Sequence, residues 1–170
     1  QDTVEKSPGK SRPWGWLGRV HDGRGQQQLA EQAWIRAEQV VRPGSFEQAA
    51  LLGNLGLAEA RKQNYQKAVD YYQRAFEIRA YRPTLRAQLA VAFMRLGRTD
   101  EGWQEFEKAF RNTTGSYEVL MLRAQELYLV GRYAEAAQDY RMALALLPDS
   151  VEAQRNLEVA EAAARKAGQP

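Results

Sequence analysis

Cysteine is absent from this chain, and histidine occurs once, at His21. The first absence excludes a disulfide framework, a thiolate nucleophile and a cysteine-ligated zinc centre. The second leaves His21, in a glycine-rich stretch beside Asp22, with no other imidazole or thiol to work with, so it reads as a solvated side chain rather than a catalytic base. Long apolar runs are missing too. None approaches the roughly 20 residues that span a bilayer, and no signal-type apolar stretch opens the sequence. Charge of one sign is never concentrated: 24 Lys and Arg stand against 21 Asp and Glu, and no five-residue run of one sign occurs. Nucleic acid is therefore not implied; around Arg61, Arg74, Arg79 and Arg82, the acids Asp70 and Glu77 interleave as on a solvated helix face. The Gly-x-Gly at Gly23 and Gly25 follows no strand, so it is not a phosphate cradle. Paired acids such as Asp100 and Glu101 suit a helix start, where they offset the dipole. No catalytic residue, metal ligand or cofactor site is expected, and the reading is non-enzymatic.

What is present is periodicity. Three blocks of 34 residues follow one another without a gap, at 49–82, 83–116 and 117–150. Counting places within each block, the eighth holds Gly56, Ala90 and Ala124, the twentieth Ala68, Gly102 and Ala136, and the twenty-seventh Ala75, Ala109 and Ala143. Beside these small residues stand large ones: Tyr72, Phe106 and Tyr140 at the twenty-fourth place, Phe76, Phe110 and Leu144 at the twenty-eighth. Small against large at fixed spacing is what two helices need to pack closely and then stack on the next pair. Each block breaks near its middle, at Gln63-Asn64-Tyr65, Gly97-Arg98-Thr99 and Gly131-Arg132-Tyr133, which divides it into a helix pair. Ser45 with Gln48 forms a capping box, Pro83 suits a first helical position, and Thr99 before Asp100 and Glu101 suits another start. A single helix over about 151–166 follows Pro148-Asp149-Ser150, polar on one face as the end of a stack must be.

These residues resemble the tetratricopeptide repeat family, most closely over GRYAEAAQDYRMALALLP at 131–148, where the Gly-x-Tyr turn, the Ala136, Tyr140 and Ala143 ladder and Pro148 match that family's pattern. The resemblance covers roughly 45–168 and implies an all-α, right-handed solenoid of antiparallel helix pairs. Departures from the pattern are Glu59 for an aromatic residue, Arg86 and Arg123 at usually apolar places, and Thr114 for a closing proline. The domain expectation is an N-terminal extended segment at 1–25, a divergent repeat helix at 26–44, repeats at 49–82, 83–116 and 117–150, and a capping helix at 151–168. In the divergent helix, Ala30, Trp34 and Ala37 keep the small, aromatic, small spacing, four residues off the main register. Its first-helix partner would have to come from 13–24, which carry too many Gly and Pro for a regular helix.

The resemblance places binding on the concave face. Carried over place by place, the groove residues are Asn54, Leu57, Arg61, Gln88, Val91, Met94, Arg95, Met121, Gln125 and Tyr128. Members that clamp a C-terminal carboxylate use Lys, Asn and Arg there; this chain has Gly53, Leu57, Gln88, Glu118 and Leu122, with only Asn54 matching, which disfavours that adaptor role. An apolar groove with Met, Leu and Tyr instead suits an amphipathic or apolar protein segment, unless several of these side chains face a neighbouring helix. The expected function is a scaffold or adaptor binding a protein partner. The 18 Arg against 6 Lys suggest a bacterial source. The resemblance implies a part in a bacterial multiprotein or envelope assembly (secretion, pilus or polysaccharide export), and the expected place is the periplasm or a membrane-associated one ahead of the cytoplasm. Three roles stay open for Pro13-Trp14-Gly15-Trp16-Leu17. Trp14, Trp16 and Leu17 close the apolar end of the array, or form a tail anchor that docks in a groove. In the third, a chain starting at Gln1 rather than Met is a cut from a longer one, whose upstream membrane helix would bring Lys6, Lys10, Arg12 and both Trp to a bilayer. Self-association through terminal repeats or this tail is the alternative function.

Overall fold

The computed structural model describes residues 10–78, 82–110 and 116–168; Thr114, Arg79 and Lys6 lie outside them. Among the described residues there are helices and no strands. They fall into two compact units, 1–81 and 82–170. The first holds α1 (Ser11–Gly23), α2 (Gln27–Val40), α3 (Phe46–Arg61) and α4 (Tyr65–Glu77); the second holds α5 (Pro83–Arg95), α6 (Thr99–Phe110), α7 (Tyr117–Leu129), α8 (Tyr133–Leu146) and α9 (Val151–Ala167). Consecutive helices pack as the pairs α1 with α2, α3 with α4, α5 with α6 and α7 with α8, while α9 packs on α8.

The sequence starts and stops these helices by ordinary means. Ser45, Ser116 and Ser150 each accept a hydrogen bond from the backbone N–H three residues on, and Pro83 occupies the first turn of α5. The Ser45 cap is completed by Gln48, whose side chain accepts from Gly44 N–H at 2.8 Å. Within each pair the turn is the same. Place fifteen has a positive φ, at Gly25, Gln63, Gly97 and Gly131. The N–H of the next residue donates back to the carbonyl five residues earlier: Gln26 to His21, Asn64 to Glu59, Arg98 to Phe93 and Arg132 to Leu127, all at 2.9 Å. That bond, which closes a left-handed helix end, satisfies a carbonyl left over by the first helix.

The first of these turns corrects the expectation for the N-terminus. Residues 11–23 are helical, not an extended segment, and α1 is the missing partner of α2. Pro13 is tolerated because it lies in the first turn, where its absent N–H has no intrahelical partner to lose. Gly18 is there for space: a Cβ on it would fall inside the Trp34 indole ring, just as one on Gly56 would come within 2.5 Å of Tyr72 Cε1. The α1–α2 pair is therefore a repeat over 11–44 with Gly18, Ala30, Trp34 and Ala37 at places eight, twenty, twenty-four and twenty-seven. Residues 45–48 form the insertion that shifts it four residues out of phase.

The cores follow the small and large places. In the N-terminal unit Ala30, Trp34, Ala37, Val41, Leu51 and Leu55 cluster, with Trp14 packed against them. In the C-terminal unit one cluster joins Ala87, Ala90, Phe106, Ala109 and Val119, and another joins Leu120, Met121, Ala124, Tyr140 and the buried Ala153 and Ala160 of α9. The three charged departures sit in ion pairs and hydrogen bonds. Arg123 grips Asp139, 3% exposed, through two bonds of 2.6 Å. Arg86 donates to buried Glu105 at 2.7 Å. Buried Glu59 accepts from Lys62 at 2.5 Å and Asn64 at 2.8 Å. Buried carboxylates are costly unless paired in this way.

Candidate functional site

The first helix of each pair carries the expected groove residues. In the N-terminal unit Asn54 and Leu57 are half-buried on α3, and Arg61 is exposed and ion-paired with Asp22 of α1. In the C-terminal unit Gln88, Val91 and Met94 are half-buried on α5, while Arg95 and Gln125 are exposed and Tyr128 is half-buried. Met121 departs from this set. At 6% exposure it belongs to the core with Leu120 and Ala124, because its rotation on α7 turns it toward neighbouring helices.

Four of the elements of the C-terminal unit build a cavity of about 330 Å³. Arg95, Gln125, Tyr128 and Leu129 line it from α5 and α7, and Tyr140, Asn156 and Val159 from α8 and α9. Arg95 is held by two bonds of 2.7 Å to Glu126, itself only 3% exposed, so the guanidinium is a fixed wall rather than a swinging arm. Tyr128 stacks edge-on against Tyr133 with centroids 5.1 Å apart, which restricts its ring. Burial, with smaller contributions from Glu152, Tyr128 and Asp139, pushes the Tyr140 phenol up to about 12, so it stays neutral and able to donate at physiological pH. Leu129 is 65% and Val159 46% exposed. The result is an apolar recess with neutral donors and one cation anchored by its own carboxylate, suited to binding and lacking any convergent nucleophile and base.

Asn156 and Val159 were not anticipated, because α9 reads as a polar cap. The signal was available: counted from Val151, they fall at places six and nine, the groove places of the preceding repeats. Likewise the PWGWL residues are neither loop nor free tail. Trp14 is half-buried against the N-terminal core, with the Arg36 guanidinium 5.1 Å above its ring. Leu17 is half-buried, and Trp16 is 51% exposed on the other side of α1. His21 Nδ1–H donates to Gln26 Oε1 at 2.6 Å across the turn, a local contact. Among the described residues no three His, Cys, Asp or Glu side chains gather as a metal site would require, and no helix is long and apolar enough to cross a membrane.

A family model described as "Tetratricopeptide repeat protein 21 forth ARM domain" matches residues 51–167. The chain belongs to the tetratricopeptide repeat family. No curated protein matches its sequence significantly. Among solved structures, a thermophilic tetratricopeptide repeat protein of Thermus thermophilus superposes with a TM-score of 0.76 at 18% identity, over 92% of this chain and 84% of that one. The APC/C hetero-tetramer Cut9-Hcn1 gives 0.74 at 21% identity over 89% of this chain, which spans only 30% of its counterpart. YrrB, described as a TPR protein with an unusual peptide-binding site, gives 0.65 at 16% identity, over 95% of this chain and 81% of that one. These likenesses establish the tetratricopeptide repeat fold, typically a non-catalytic protein-interaction module. The pattern that anchors it also covers α1, where Trp14, Leu17, Gly18 and His21 keep the spacing of the first-helix signature, with histidine in place of tyrosine.

Proposed function

We propose that this tetratricopeptide repeat protein is a non-enzymatic scaffold that takes an amphipathic or apolar segment of a protein partner against the first helices of its repeats. In the N-terminal unit the residues offered to it are Asn54, Leu57 and Arg61, and in the C-terminal unit, taken by itself, they are Gln88, Val91, Met94, Arg95, Gln125 and Tyr128. The observation that carries the reading is the recess between α7 and α9. Leu129 and Val159 are left exposed there beside Tyr128, with Gln125 and Asn156 at hand to hydrogen-bond a backbone. Seating one large apolar side chain of a partner in such a recess contributes roughly 1.5–3 kcal/mol before the costs of association. The arginine-rich, lysine-poor composition supports a bacterial source, and the family likeness is what supports work in a multiprotein or envelope assembly there.

Site-specific photocrosslinking tests this directly. A benzophenone side chain at Gln125 is expected to capture a defined partner segment, and one at Gln138, in the second helix of the same repeat, is not. Met94→Glu combined with Tyr128→Glu should abolish the Gln125 crosslink while circular dichroism stays unchanged. Capture from Gln138 alone, or capture indifferent to the double substitution, would show that the partner uses another face.

A further inference from the structure

The C-terminal unit has a second cavity, about 250 Å³, lined from α6, α7 and α8. It shares no residue with the surface proposed above. Two arginines line it, and the fold holds them differently. Arg123 forks onto Asp139, whose side chain is 4% exposed, through two bonds of 2.6 Å, and its guanidinium lies 3.9 Å from the centroid of the Phe110 ring. Losing that partner would leave a buried carboxylate uncompensated, so Arg123 is fixed. Arg132, in the turn before α8, lies 5.2 Å above the half-buried Trp103 ring and forks onto Glu135 three residues on. The two side chains of that pair are 47% and 53% exposed. An ion pair so open to water contributes little, so Arg132 is a displaceable occupant of its seat.

With Arg132 turned out to solvent, the seat is an indole face and two uncommitted carboxylates at one cavity. Glu107 stands one turn beyond Trp103 on the same side of α6, is exposed, and makes no hydrogen bond or ion pair among the described residues. Glu135 has lost its partner. The lining then carries Glu107, Glu135 and Asp139 against Arg123 alone, and a cation is needed to balance it. We infer that this cavity binds a small organic cation bearing a guanidinium group, which replaces Arg132 on Trp103 and pairs with Glu135 and Glu107. The seat specifies a guanidinium because the one now in it lies over the indole and reaches both Glu135 oxygens at once, which a planar fork does and a compact ammonium does not. A free molecule suits it better than a protein segment. A stable protein interface needs roughly 800 Å² per partner around large anchors, and of the exposed large hydrophobic residues described, Met142 alone lines this cavity.

Titration of the full chain with n-butylguanidinium at constant ionic strength, followed through the indole N–H signal that Trp103→Phe removes, tests this. A saturable shift is expected, and n-butylammonium should bind several-fold more weakly. Arg132→Gln should bind n-butylguanidinium roughly two- to fivefold tighter, because the intramolecular competitor is gone. A residue with a merely structural role would not move affinity in that direction. Glu107→Gln/Glu135→Gln should lose about tenfold. Glu158→Gln, which removes an acid on α9, and Tyr128→Glu, in the surface proposed above, should leave binding unchanged. No saturable shift in either the wild type or Arg132→Gln, or an affinity unchanged or lowered by Arg132→Gln, would overturn the inference. Equal binding of the two cations, or equal losses from Glu107→Gln/Glu135→Gln and Glu158→Gln, would do the same. So would a capped Gly-Arg-Gly peptide that bound about tenfold tighter than n-butylguanidinium, since the occupant would then be a protein segment.

Discussion

Gln63 is held at a φ of 64°, at a turn place where the other three repeats have glycine. A residue with a Cβ loses about 1–2 kcal/mol in the left-handed region, and the extra chain entropy of glycine returns roughly half of that. Gln63→Gly should therefore raise stability by about 0.5–1 kcal/mol, read as a higher urea midpoint with an unchanged slope. Four residues earlier, Glu59 makes a prediction of a different kind. Burial alone would push its carboxyl up, but hydrogen bonds from Lys62 and Asn64 and the charges of Lys62 and Lys67 outweigh burial and hold it below the ordinary value of 4.5. A carboxyl whose folded value is depressed binds its proton more readily when unfolded, so its contribution is complete above the unfolded value and lost as pH falls through the folded one. The melting temperature of the wild type should accordingly drop more steeply below about pH 4.5 than that of Glu59→Gln. Parallel melting curves from pH 6 to pH 3 check it, and equal slopes would mean that the buried carboxylate gains nothing from its partners.

At the scale of an element, α1 shows how two tryptophans two residues apart acquire opposite roles. A helix turns about 200° over two residues, so Trp14 faces the core of Ala30, Trp34 and Leu51 while Trp16 faces a recess between α1 and α3. Trp14→Ala should cost on the order of 2–4 kcal/mol through lost burial and an unfilled space. Trp16→Ala should stay within about 0.5 kcal/mol. Denaturant unfolding of the two variants separates them, and similar losses would contradict the assignment of faces. The same helix marks where reading the sequence stops. The columns of small and large residues from 49 to 150 are legible because each is a packing requirement repeated at a constant interval. In α1 the same requirement is met by Gly18 against Trp34, but Pro13, Gly15 and Gly23 around it look like breakers when their neighbours are unknown. Burial of Trp34 offsets the roughly 1 kcal/mol that a mid-helix glycine costs. The groove residues on α5 and α7 could be placed by register, whereas the inward rotation of Met121 could not, since one place of drift moves a side chain from surface to core. Nor could the partners of Arg86 and Arg123 be read, because Glu105 and Asp139 meet them only when the second helix folds back.

Across the whole molecule, a repeat array draws its stability from each repeat and its neighbours rather than from one central core. Residues 82–170 contain what such a sum needs. They hold two apolar clusters, the second closed by the buried Ala153 and Ala160 of α9. The carboxylates of Glu105, Glu126 and Asp139, which would be costly to bury alone, find Arg86, Arg95 and Arg123 inside the same stretch. The recess lined by Tyr128 and Val159 is built from α5, α7, α8 and α9, all within it. A fragment of residues 82–170 should therefore fold without the preceding repeats, giving a helical far-ultraviolet spectrum and a cooperative thermal transition. It should also retain the Gln125 photocrosslink at wild-type efficiency. A fragment that stayed unfolded would mean that the second unit depends on 1–81 for a contribution its own core and ion pairs do not make. A folded fragment without the crosslink would move the decisive partner contacts to the surface of α1 and α3.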